Sequence, residues 1–164
     1  MTEQIITKKS LNKLFDYNDG EIYWKVRLSN RTKIGDKAGN PRTDGYLRIS
    51  IGGKDYAVHR LIFLMHYGYL PKELDHIDND KLNNKVENLR EATRNENLYN
   101  RKTGKSNSSG IKNVSWSKGK SKWNVLFSIN GKNKHLGYYK DLELAELVAI
   151  EAREKFHGNF ANNG

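Results

Sequence analysis

Asp75 and His76 are consecutive, Asn88 and Asn97 follow, and the polar, Asn-rich stretch that holds them reads LDHIDNDKLNNKVENLREATRNENLYN from Leu74 to Asn100. Leu74-Asp75-His76 resembles the end of a short strand, where successive side chains point to opposite sides. An Asp and a His so placed can divide two roles, metal ligand and proton acceptor. Imidazole is the side chain able to take a proton from water near neutral pH. Carboxylate and amide oxygens are hard donors suited to magnesium or manganese, with water and phosphate oxygens filling the remaining positions. Asn88-Leu89-Arg90 reads as a second brief strand, and Thr93-Arg94-Asn95-Glu96 as a capping box that starts a helix at Arg94. Asn97, Asn100 and Arg101 then share one helix face. Strand, loop, strand and helix, with Asp-His on the first strand and Asn on the helix, is the arrangement a one-metal phosphodiesterase needs. The ion would neutralise charge building on the scissile phosphate, and no covalent intermediate is required.

Other titratable residues have plainer readings. Asp78 and Asp80 could bind metal, but their place in the loop suits turn capping. His59 precedes an apolar helix and reads as structural, with a phosphate contact as the alternative. His66 and His157 read as packing or helix-end residues.

Elements to position this set are legible around it. A short helix is expected at 7–16, then Gly20 and a strand Glu21–Val26 rich in β-formers. A hairpin, Tyr46–Ile51 and Asp55–Val58, turns on Gly52-Gly53. Leu61, Leu64 and Met65 share a helical face that Gly68 closes. Residues 102–110 carry no apolar side chain, so a flexible linker is placed at 102–109 between domains at 1–101 and 110–164. The second domain reads as strands near 111–116, 122–129 and 134–139, the last two joined by an Asn130-Gly131 turn, with Trp123, Val125, Phe127 and Ile129 on one face. Asp141 then caps a helix whose Ala145, Val148, Ala149, Ala152 and Phe156 recur at helical spacing.

Composition narrows the partners. The chain has 164 residues, 29 Lys and Arg against 19 Asp and Glu, a formal charge of +10, and no Cys. Disulfides, thiolate metal sites and thiol nucleophiles are therefore excluded, which fits a reducing cytoplasm. No apolar run approaches the roughly 18–20 residues of a bilayer span, and Met1 to Leu11 lacks a signal-peptide core, so no membrane partner is expected. The positive excess points to a polyanion. Between Glu96 and Asp141 there is no acid, while Arg101, Lys102, Lys105, Lys112, Lys118, Lys120, Lys122, Lys132, Lys134 and Lys140 supply ten cations. Trp116 and Trp123 are interleaved with them, which suits phosphate contact combined with stacking. All these cations but Lys140, together with Trp116 and His135, are the candidate DNA contacts. A solvated lysine-rich face is the alternative.

Gly45-Tyr46, His59-Arg60-Leu61, Asp75-His76-Ile77-Asp78, Asn84, Asn88-Leu89-Arg90, Ala92-Thr93 and Asn97 resemble, in order, the pattern of HNH endonucleases of the ββα-metal type, in the homing-endonuclease-like branch common in phages. The resemblance implies His76 as general base, Asp75 and Asn97 as ligands of one magnesium or manganese ion, and Asn88 as the residue bracing the loop. Asn97 stands where other branches carry His. Gly110-Ile111, Trp116, Trp123, Leu136-Gly137-Tyr138-Tyr139, Ala145, Ala149 and His157-Gly158 resemble the DNA-binding fold of plant Apetala/ethylene-response factors, whose three-stranded sheet enters the major groove. Two positions where the plant domain uses Arg hold Val114 and Ser128, so arginine readout of guanine does not carry over.

The fold expected is α+β, an N-terminal ββα-metal domain followed by a three-stranded antiparallel sheet packed on one helix. The resemblance implies metal-dependent hydrolysis of double-stranded DNA with no further cofactor. A phage-encoded protein in the cytoplasm of a bacterial host is implied, monomeric on DNA or dimeric. The rivals are a non-catalytic DNA-binding regulator on a decayed nuclease fold and a basic RNA-binding protein.

Overall fold

Short antiparallel strand pairs and capped helices alternate along the chain in the structure, a computed structural model describing residues 6–30, 32–104, 106–129 and 131–163. Lys105 of the cationic run, Asn130 of the expected hairpin turn and the first five residues lie outside these. The chain divides into two units, Met1–Ala92 and Thr93–Gly164.

In the first unit, α1 (Lys8–Leu14) begins at a capping box formed by Thr7 and Ser10. It stops short of the expected residue 16 because Phe15 opens β1 (Phe15–Asn18), which pairs with β2 (Glu21–Trp24). Asp19-Gly20, both at positive φ, close that hairpin. Gly20 is needed for space as well, since a Cβ there would lie 2.8 Å from the Lys85 amide nitrogen. A second sheet runs in the order β3 (Asn40–Pro41), β4 (Leu47–Ile51), β5 (Lys54–Ala57), and β4 and β5 turn at Gly52-Gly53 as expected. In α2 (Val58–Tyr67) seven of ten residues are buried, and Gly68 ends it in the left-handed conformation. Leu61 and Ile62 of α2 pack with Leu11, Phe15, Ile22 and Ile49, so truncating either to Ala should cost about 2–5 kcal/mol. The last pair is β6 (Glu73–His76) with β7 (Leu89–Ala92), antiparallel, with Asp75 opposite Arg90 and His76 opposite Leu89. Leu89 reaches the α2 core, which ties this strand pair to the rest of the unit.

The second unit starts with α3 (Arg94–Asn100), capped by the Thr93/Glu96 box. Strands β8 (Val114–Ser117), β9 (Lys122–Ile129) and β10 (Lys132–Tyr139) form an antiparallel sheet in the order β10-β9-β8. The first begins later than residue 111 because Ser109 Oγ takes up the Ile111 amide and donates to the Val114 carbonyl, which fixes a loop there. Leu136 makes a bulge between His135 and Gly137. Gly137 has φ of 137°, and a Cβ on it would meet the Tyr139 hydroxyl at 2.9 Å. Asp141 caps α4 (Leu142–His157), and its carboxylate accepts the Glu143 amide at 2.8 Å. Ala145, Ala149 and Ala152 let α4 lie close on Val114, Val125 and Phe127.

The units part ahead of α3, whereas the sequence reading sets the boundary after Arg101. The reason is local packing: the Tyr99 ring of α3 stacks on His157 of α4.

Candidate active site and nucleic-acid interface

The β6/β7 pair sets Asp75 and His76 on successive positions, so their side chains meet different partners. Arg90, directly across from Asp75, grips one carboxylate oxygen through Nε at 2.9 Å and Nη2 at 2.8 Å. Both side chains are largely buried, so this pair is shielded from salt in a way the surface pairs are not. His76 is 5% exposed. Its Nε2 lies 3.0 Å from Asn84 Oδ1. An amide oxygen accepts, so in the tautomer that makes this bond Nε2 donates and the ring lone pair sits on Nδ1.

Asn88 closes the loop between the strands. Its Oδ1 accepts the Asp78 amide at 3.1 Å, and its Nδ2 donates to Asp78 Oδ1 at 2.9 Å and to the Asn83 carbonyl at 2.8 Å. Asp78 also accepts from the Asp80 amide and from Asn83 Nδ2, and Asp80 accepts the Leu82 amide. Both aspartates therefore cap turns. Burial pushes the Asp78 carboxyl up, but the hydrogen bonds from Asn83, the Asp80 amide and Asn88 together outweigh it and hold the group below the usual range.

Sequence reasoning gave Asn84 no role and treated Arg90 only as a pattern letter. The register of β6 against β7 is the signal that finds Arg90. His59, read from the sequence as structural, is buried within α2, and its ring stands edge-on to His76 with centroids 5.0 Å apart, with the Tyr46 ring at the same distance. Burial, helped by His76, Arg60 and Arg48, pushes its pKa down to about 3, so it is neutral at ordinary pH. A cleft of about 390 Å³ runs past Tyr46, Arg48, His59, Arg60 and Glu73.

No cluster of three or more His, Cys, Asp or Glu side chains that could hold a metal occurs among the described residues. A divalent ion bound through Asp75 would need amide, water or phosphate oxygens beside it. The donor chemistry of Asn97 fits: its Oδ1 is buried and has no hydrogen-bond partner among the described residues, and an orphaned amide oxygen is a hard ligand.

The candidate nucleic-acid contacts fall into several groups. Residues 93–164 hold thirteen Lys and Arg against six Asp and Glu, so most of the excess charge is theirs. Arg101 and Lys102 follow α3 and are exposed; Lys118 and Lys120 are exposed in the β8–β9 turn. Lys122 and His135 register on the sheet face away from α4, and His135 packs against Tyr138. Trp116, opposite Trp123 and two residues from Val114, registers on the α4 side and projects past it, 43% exposed. Lys132 and Lys134 register on that side too, opposite Ile129 and Phe127, and the Lys134 ammonium lies over the Phe156 ring. Lys112 turns inward: its ammonium donates to the carbonyls of Tyr99 and Arg101, and burial with Arg153 nearby pushes its pKa down to about 8.

Residues 56–99 match the family described as HNH endonuclease. Over 98 residues the chain is 41% identical to Protein 3.8 of Escherichia phage T7, a span covering 57% of this chain and 78% of the T7 protein. It is 43% identical over 61 residues to "Uncharacterized HNH endonuclease L560" of Acanthamoeba polyphaga mimivirus, covering 35% of this chain and 32% of that protein. A solved structure, "DNA binding and cleavage by the HNH homing endonuclease I-HmuI", matches with 27% identity over 86% of this chain and 83% of that one, at a TM-score of 0.40.

Proposed function

We propose, on the premise that residues 56–99 are an HNH endonuclease domain, that the chain is a divalent-metal-dependent DNA endonuclease in which His76 is the general base. The observation that carries the reading is the buried His76–Asn84 hydrogen bond beside the Asp75–Arg90 pair, inside the matched stretch. With Nε2–H held by Asn84, His76 takes a proton from the attacking water at Nδ1, and the Asn84 oxygen steadies the imidazolium that results. Asn88 keeps the loop that holds Asn84 in one shape. Arg90 fixes the Asp75 carboxylate. Asp75 and Asn97 are the residues that would hold one magnesium or manganese ion. When bound, such an ion supplies charge neutralisation at the phosphate and at the leaving 3′-oxygen.

The products expected are 5′-phosphate and 3′-hydroxyl ends. One such motif in a monomer cuts one strand per encounter, so nicking is the expected outcome. The second unit, with its exposed Lys118 and Lys120, its half-buried Lys122 and its resemblance to the Apetala/ethylene-response fold, is the proposed grip on duplex DNA. A phage-encoded enzyme of this kind would act in the cytoplasm of an infected bacterium.

A supercoiled-plasmid assay with magnesium or manganese, run beside His76→Ala, tests the reading. Nicking by the wild type that His76→Ala loses supports it. If both are equally inert across divalent metals, the regulator reading takes its place. If single-stranded or A-form RNA outcompetes duplex DNA, the substrate class is wrong.

A further inference from the structure

The family match ends at residue 99, inside α3, a helix of seven residues. A helix that short is not stable by itself, and its last carbonyls are orphan acceptors until something outside it supplies donors. The donors come from residues beyond the match. Lys112 Nζ donates to the Tyr99 carbonyl at 2.6 Å and to that of Arg101, which sets a cation at the negative end of the helix. Asn162 Nδ2 donates to the Asn100 carbonyl at 2.8 Å and lies 3.3 Å from Asn100 Oδ1. The Tyr99 ring lies flat on His157, centroids 3.8 Å apart and planes within 5°. Arg153 of α4, fully buried, joins these arms: Nη1 donates to the Lys112 carbonyl at 2.7 Å and Nε to Asn163 Oδ1 at 2.6 Å. One α4 side chain thus holds both the loop that presents Lys112 and the segment that presents Asn162.

We propose that Lys112, Arg153, His157 and Asn162 are positioning residues for the metal site: they fix α3, and through α3 the amide of Asn97. The inference rests on the reading of Asn97 as a metal ligand. It makes retention of the divalent ion depend on α4 and the residues after it, outside the stretch that defines the family.

Three measurements on the full chain test this: Mn²⁺ binding by electron paramagnetic resonance without DNA, hydrogen exchange of backbone amides without metal, and duplex affinity in EDTA. Asn162→Ala and Lys112→Met should speed exchange in α3 and weaken Mn²⁺ binding about 10- to 100-fold, the usual effect of losing a residue that supports a ligand. Asn162→Ala should leave duplex affinity unchanged, because its side chain is spent on α3. Faster exchange confined to α3 supports the proposal, and faster exchange spread through β9 overturns it in favour of a general structural role. Asn97→Ala separates the two readings. If it leaves Mn²⁺ affinity untouched, the ligand assignment fails. If it loses the metal while Asn162→Ala and Lys112→Met keep wild-type exchange and affinity, the positioning role fails.

Discussion

The β6/β7 strand pair of the first unit and helix α3 of the second carry neighbouring parts of one motif, yet they are held in opposite ways. Asp75, His76 and Asn88 find their partners at Arg90, Asn84, Asp78 and Asn83, all within the same short stretch. The end of α3 is held by Lys112, His157 and Asn162, up to 62 positions further along the chain. A hairpin loop brings its own polar groups together at small entropic cost, because the ring it closes is short. A seven-residue helix has too few internal hydrogen bonds and must borrow its stability from packing. The motif is therefore self-contained on one side and dependent on the other.

The largest break in this comparison is expected from His76→Ala. Removing the proposed base should lower plasmid nicking by about 10²- to 10⁴-fold without loosening the loop, since Asn88 and Asp78 still close it; duplex affinity measured in EDTA should stay at the wild-type value. Loss of affinity as well would mean that His76 is needed for the shape of the site.

Next comes the pH dependence of the first unit. In the folded chain the His59 pKa is about 3, below the ordinary value of 6.5, with His76, Arg60, Arg48 and Asp44 as the charged or titratable groups acting on it. Between those values the unfolded chain binds a proton that the folded chain refuses, so stability falls as pH drops from 6.5 towards 3, by at most on the order of 5 kcal/mol. Chemical denaturation across that range should show the loss in wild type and a flatter profile in His59→Phe. Lys112 gives the second unit the opposite window. Its folded pKa of about 8 lies below the ordinary 10.5, so stability rises as pH climbs between them, and Lys112→Met should remove that rise.

Arg90→Met leaves the Asp75 carboxylate without its fork. Mn²⁺ affinity should fall about 10- to 100-fold, a loss the paramagnetic titration reads directly. An equal loss from Asn162→Ala would mean that the local and the distant braces carry similar weight. The smallest effect separates the two cross-strand tryptophans. Trp116 is 43% exposed and Trp123 packs against the second core. Trp116→Ala should change stability by only about 0.5–1 kcal/mol, while Trp123→Ala costs several times that by urea denaturation. A Trp116→Ala variant that binds duplex DNA less well at unchanged stability would assign that ring to the nucleic acid.

Much of this was legible in the residues. The Thr93/Glu96 capping box, the Gly52-Gly53 turn, the Gly68 stop and the Asp141 cap are local devices whose chemistry lies within four positions, and each occurs where expected. A brief strand after the Asp-His strand was equally visible, one residue early, since Asn88 belongs to the turn before it. Phe15 turning into β1 was not, because its partner Trp24 acts from across a hairpin. Lys112 was read as a DNA contact from its place in an acid-free run, and pattern alone could not show its ammonium turned onto the end of α3. Trp116 had the same difficulty, since which face of a sheet a residue occupies follows from its cross-strand register.

The sequence by itself determined the HNH-type stretch at 56–99, the Asp75-His76 pair, the brace at Asn88 and the helix that bears Asn97, because adjacency and helical period are properties of the chain. Only the tertiary structure decided that His76 rests on Asn84, that Asp75 is gripped by Arg90, and that α3 groups with α4. Those contacts depend on strand register and on carbonyls and rings meeting across long separations. They arise when orphan polar groups and apolar faces must be satisfied together, a condition that no short stretch of sequence records.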